Sequence, residues 1–185
     1  PDGSRLVTTS EDQTALVWDV AAQAQVLQLT GHSGHVLDAD YSPDGARIVT
    51  GGRDGSIRLW DAASGSQLQV LNGHTDEVRS VSFSPDGSLI ASGSADGTIR
   101  LWDAASGAAL STLGAASNWI WSVEFSPDGS VLAAGDRNNT ATVWDASSGA
   151  LIATLTGHSG WVIAVDFSPD GALLATGSGD GTVRL

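Results

Sequence analysis

GHTDEVRSVSFSPDGSLIASGSADGTIRLWD, residues 73–103, recurs with small changes along the whole chain. Its Pro-Asp-Gly stands at Pro1, Pro43, Pro85, Pro127 and Pro169, always 42 residues apart, and these are the only prolines. Trp-Asp keeps the same step at Trp18-Asp19, Trp60-Asp61, Trp102-Asp103 and Trp144-Asp145. Gly-His falls at Gly31-His32, Gly73-His74 and Gly157-His158, with Ala115-Ala116 in the slot between. Four full periods plus 17 residues make up the 185. Self-similarity at a fixed step marks a repeat architecture, in which each copy hides its apolar faces against its neighbours.

Each period reads as four short strands. In the copy from Gly31, strand a spans about 35–42, with Val36, Ala39 and Tyr41 apolar. Their spacing of three and then two breaks alternation, as one bulge near the strand's start would. Ser42-Pro43-Asp44-Gly45 is a tight turn, with Pro pre-setting φ and Gly accepting a positive one. Strand b spans about 46–52, Asp54-Gly55 makes a hairpin turn, and strands c and d span about 56–61 and 66–72. No helical period appears, so the class is all-β. Strands b and c are apolar on both faces, so each small sheet must be covered on both sides. Like sheets stacked around an axis achieve this, and the expected fold is a β-propeller of four-stranded antiparallel blades.

The string from Gly73 to Asp103, with its Gly-His, Ser-Pro-Asp-Gly and Ser-x-Asp-Gly-Thr-Ile-Arg-Leu-Trp-Asp, resembles the WD-repeat β-propeller family, in the regular style common in bacterial proteins. The likeness covers the entire chain. The chain then reads as a single propeller segment, 1–185. Strands b–d lie in 1–30, full blades in 31–72, 73–114 and 115–156, and strands a–c in 157–185. Seven blades are the family's habit, so the ring is incomplete within these residues. An open arc leaves edges unpaired. The expectation is therefore the remainder of a longer chain or, failing that, a homo-oligomer that closes the ring.

Composition narrows the function. There is no Cys, which excludes thiol catalysis and Cys-ligated metals. No apolar run approaches the roughly 20 residues of a membrane helix, and no signal pattern opens the chain. The residues fix no compartment; the cytoplasm is favoured. Eight Arg against 21 acids give a net charge of −13, which repels nucleic acid and anionic membranes. Thirteen of the acids sit in slots the repeat dictates: Pro-Asp-Gly turns, b–c turns and Trp-Asp pairs. The acidity is therefore mostly turn chemistry rather than a signal for a basic partner.

His, Ser/Thr and Asp recurring together invite a catalytic reading. The resemblance implies instead a buried hydrogen-bonded network in each blade: His32, Thr50, Asp54 and Trp60; His74, Ser92, Asp96 and Trp102; and, at the end, His158, Thr176 and Asp180. A nucleophile set needs one cleft, whereas this set repeats, and buried polar groups must be paired in any case. The copy ending at Trp144 carries Ala116, Ala134 and Asn138 in the three polar slots, as when a structural network is dismantled together. No catalytic, metal or cofactor site is expected, and no loop clusters oxygen ligands for calcium.

Function should lie where the copies differ. The first slot of strand a reads His35, Glu77, Trp119, Trp161, and two residues on it reads Leu37, Arg79, Trp121, Ile163. The residue before the b–c turn Asp varies too, with Arg53 and Arg137 among its members. The resemblance places these slots around the central channel on one face, the family's usual docking surface. Trp and Arg are the residues that anchor interfaces. The expected function is a non-enzymatic scaffold for a protein or peptide partner. The alternatives are a structural or regulatory part of a larger bacterial signalling protein, or a small-ligand or glycan site at the tryptophans. Trp119 and Trp121 have a plainer reading as well, filling volume vacated by Ala116 and Ala134.

Overall fold

The computed structural model describes residues 2–115 and 118–185; Ala116, in the fourth copy's His slot, lies outside them. It is all-β, with five antiparallel sheets. The first holds β1 (Arg5–Thr9), β2 (Thr14–Asp19) and β3 (Ala24–Thr30). The second holds β4 (Val36–Tyr41), β5 (Arg47–Gly52), β6 (Ile57–Asp61) and β7 (Gln67–Leu71). The third holds β8 (Val78–Phe83), β9 (Leu89–Ser94), β10 (Thr98–Asp103) and β11 (Ala109–Ala115). The fourth holds β12 (Ile120–Phe125), β13 (Val131–Asp136), β14 (Ala141–Asp145) and β15 (Leu151–Leu155). The fifth holds β16 (Val162–Phe167), β17 (Leu174–Ser178) and β18 (Val183–Arg184). Each strand pairs with its sequence neighbour, giving propeller blades within an incomplete ring.

The core lies between sheets rather than inside any one. Val49, Ile57, Leu59 and Leu71 of the second sheet form one cluster with Val78, Val81, Phe83, Ile90 and Trp102 of the third. Ala91, Ile99, Leu101 and Leu113 of the third do the same with Ile120, Val123, Phe125 and Leu132 of the fourth. Each face is thus hidden only by the next blade, which is why both faces of the middle strands are apolar. Approach between blades is so close that strand-b glycines carry it. A Cβ on Gly51 would come 2.8 Å from Val78, and one on Gly93 2.6 Å from Ile120.

The register slips once near the start of every strand a, between Val36 and Asp38, Val78 and Ser80, Ile120 and Ser122, and Val162 and Ala164. The bulged residues are Leu37, Arg79, Trp121 and Ile163, the very slot that varies most among the copies. A bulge releases its side chain from the alternation of the strand and re-aims it, so this slot is free to differ without disturbing the core.

Candidate functional site

The recurring polar residues come together as a chain of donors. In the third sheet Trp102 Nε1 donates to Ser92 Oγ at 2.9 Å, Ser92 lies 2.7 Å from His74 Nε2, and His74 Nδ1 lies 2.9 Å from Asp96. The indole can only donate, so Ser92 passes its own proton to Nε2, and a neutral His74 carries its proton on Nδ1 for the carboxylate. The second sheet repeats this with Trp60, Thr50, His32 and Asp54 at 2.8–3.1 Å. His158 meets Thr176 and Asp180, both at 2.9 Å. The three imidazoles are at most 5% exposed, so each is sealed within its own blade.

Burial of His74 lowers its pKa against the pull of Asp96, which keeps it neutral. Burial alone would raise Asp96, but hydrogen bonds from the Thr98 side chain, the Thr75 backbone and His74 outweigh it and hold the carboxyl at about 2. Thr98 and its counterparts Ser56 and Thr182 bind the same carboxylates and were not singled out from the sequence. The signal was there, since a Ser or Thr follows the turn Asp by two residues in every copy that has that Asp.

The fourth sheet, with Ala134 and Asn138 in its slots, makes other bonds. Trp144 Nε1, deprived of a hydroxyl by Ala134, donates to Thr142 Oγ1 at 3.0 Å on its own strand. The turn carboxylate has moved two residues back to Asp136, which accepts from the Asn138 and Thr140 backbones and the Thr140 hydroxyl at 2.8–3.0 Å. A cavity of about 240 Å³ remains beside Trp144, lined also by Gly97, Ile99, Leu113 and Ile120. Trp119 and Trp121 do not line it.

Those two tryptophans join something else. A backbone bond ties the first slot of each strand a to the b–c turn: Arg53 N to His35 O, Ala95 N to Glu77 O, Arg137 N to Trp119 O, and Gly179 N to Trp161 O, all at 2.8–2.9 Å. The variable slots therefore meet. The Arg79 guanidinium lies 4.3 Å from the Trp119 ring and 4.3 Å from Trp121, and Arg137 lies 4.6 Å from both Trp119 and Trp161. Trp121 and Trp161 stack at 5.8 Å, and Trp119 and Trp121 meet tilted at 5.7 Å. Glu77 accepts from both Arg53 and Arg79. The result is one ladder running from the second sheet to the fifth. Trp119 and Trp121 are half-buried, while Trp161 is 42% exposed. His35 and Leu37 occupy the equivalent slots of the second sheet, half-buried, and no hydrogen bond or aromatic contact among the described residues joins their side chains to the ladder.

Four acids outside the turns face one another along the inner strands and were left unassigned by the repeat: Asp38, Asp40, Glu124 and Asp166. Asp38 accepts the Val81 N–H at 2.9 Å and Asp40 the Phe83 N–H at 2.8 Å, while Ser80 and Ser122 accept from Val123 and Val165. The inner edges of the third, fourth and fifth sheets are thus met by side chains of the sheet before each. Burial, then the charges of Asp40, Asp166 and Asp38, raises the Glu124 carboxyl from 4.5 to about 7. The folded chain keeps this proton where the unfolded chain has released it, so stability falls as pH climbs from about 4.5 through 7 and then levels off. Glu124→Gln is expected to remove that slope and to stabilise the fold by about 1–2 kcal/mol at pH 8, with little effect at pH 5. Denaturant titrations of both proteins at the two pH values check this.

Among the described residues no group of His, Asp and Glu is arranged to hold a metal ion, and no helix is long and apolar enough to cross a membrane. In comparison with known families, a model described as the echinoderm microtubule-associated protein second beta-propeller matches residues 40–185. One described as the WD domain, G-beta repeat, matches residues 1–19. No curated protein matches the chain.

Proposed function

Because the chain belongs to the WD-repeat β-propeller family, whose domains generally serve as protein-interaction scaffolds, we propose that it is a rigid, non-enzymatic platform for a protein or peptide partner, bound on the face that carries the Trp–Arg ladder. The 185 residues act in it as one propeller segment. The observation that carries this reading is Trp161, a large ring 42% exposed on a base of two further tryptophans and two arginines. Fixed aromatic and guanidinium groups of this kind are the usual anchors of interfaces, because little side-chain entropy is lost on binding. The imidazole–carboxylate pairs are buried and engaged within their own blades rather than open on that face.

A sugar or methylated ammonium stacked on the tryptophans is less well served. Every ring of the trio already has a guanidinium over it, Arg79 for Trp119 and Trp121 and Arg137 for Trp119 and Trp161. A cationic ligand would have to displace a like charge.

Trp161→Ala tests the platform. Partners captured by the wild-type chain and identified by mass spectrometry are expected to bind the variant at least about tenfold more weakly, a loss of about 1.4 kcal/mol. Unchanged titration curves, with folding verified by circular dichroism, would defeat the reading.

A further inference from the structure

The Trp–Arg ladder is rich in donors and short of acceptors. Arg53 and Arg79 share the one carboxylate of Glu77, and Asp76 accepts the backbone N–H of Glu77 at 2.8 Å. Arg137 has no carboxylate partner among the described residues, and its nearest acid in sequence, Asp136, is 4% exposed and engaged by its own turn. Two further donors of the ladder, Arg79 Nε and Trp121 Nε1, are buried without an acceptor. A buried donor left unmatched is costly, and here two gather beside an unpaired guanidinium.

We propose that this face receives a partner peptide carrying an acidic side chain beside an apolar or aromatic one, the carboxylate seated on Arg137 and the apolar group on Trp161. The inference rests on the platform reading and adds the chemistry of what is bound. A carboxylate only accepts, so it fits the ladder's imbalance. The guanidinium is a planar fork suited to take it in a two-point bond. Arg137 stands over two indole rings, which hold that fork in place before the partner arrives. Most of the chain's net charge of −13 is held in turns, whereas the ladder itself sets the guanidiniums of Arg53, Arg79 and Arg137 against the one carboxylate of Glu77.

A displayed library of random peptides selected on the intact chain, followed by fluorescence anisotropy of the recovered peptides, tests this. The expected peptides are enriched in Asp or Glu next to Trp, Phe or Leu. Their affinity should fall at least about tenfold with Arg137→Gln, and similarly when the peptide acid becomes its amide. The two changes together should cost little more than either alone. Binding should also weaken as salt is raised. Arg137→Lys, which keeps the charge and loses the fork, should fall between, provided thermal unfolding shows both variants folded. Peptides lost with Trp161→Ala but indifferent to Arg137→Gln, or enriched in Lys and Arg, would overturn the acidic-partner inference and leave the platform standing. Recovery of no peptide, or of peptides indifferent to both substitutions, would overturn both.

Discussion

His74→Ala is expected to lower the unfolding free energy by about 2–4 kcal/mol. The substitution leaves the Ser92 hydroxyl without its acceptor and Asp96 short of one donor, in a site where the imidazole is fully buried. Each group stranded in this way costs roughly 1–3 kcal/mol, and the vacated ring volume against Trp102 adds a cavity term. The combined variant His74→Ala, Ser92→Ala, Asp96→Asn removes the members together and should lose at least about 1 kcal/mol less than the sum of the single changes. Denaturant titrations with unchanged slope measure both, and strictly additive losses would show that the bonds are independent. Acid should act on the same chain. His32 and His74 are lowered by burial, so the stability they confer is complete above the ordinary histidine value of 6.5 and is lost as pH falls through their lower folded values.

Gly93→Ala should be comparably damaging, for a steric reason. The new Cβ would sit 2.6 Å from Ile120 Cγ2 and 3.0 Å from Val123 Cγ1, on the seam between the third and fourth sheets. No flexible side-chain end is available to yield, since both residues are core members. Overpacking of a tight core costs about 1–3 kcal/mol, and here the cost should lie at the upper end or beyond because backbone must move. Ile120→Ala is destabilising alone, by about 2–4 kcal/mol. It removes the clashing Cγ2, so the double variant should lose clearly less than the two single losses added. Equal losses would mean that the seam opens rather than clashes.

The strands, their order and their bulge could all be read from the repeat, because turn chemistry and alternation are local properties that 42 residues state in full. The networks of the second and third sheets were expected from the family resemblance; the repeat by itself showed only that Trp, hydroxyl, His and Asp keep fixed slots. What escaped was what depends on the neighbouring copy. Asp38 and Asp40 find their donors 43 residues on, at Val81 and Phe83, and nothing local distinguishes them from solvated strand acids. Asp136 and Thr142 were missed for a different reason: they make their bonds in a copy whose usual slots are empty, using residue types that no other copy carries at those positions. The Trp–Arg ladder lay between these cases. Its members were visible as variation, but their stacking was not, because it needs the turn-to-strand bonds that bring the two variable slots together.

The fourth sheet's missing bonds bear on more than its own blade. In a row of like units, each is held chiefly by the next, so every joint between sheets adds its own share to cohesion. A pocket of about 240 Å³ opens beside Trp144 at one of these joints, between the third and fourth sheets. Across the same joint, on the outward face, Arg79 is wedged against Trp119 and Trp121. The ladder that we propose as a docking face therefore also bridges two blades across that joint, so a guest lodged on it would hold both at once.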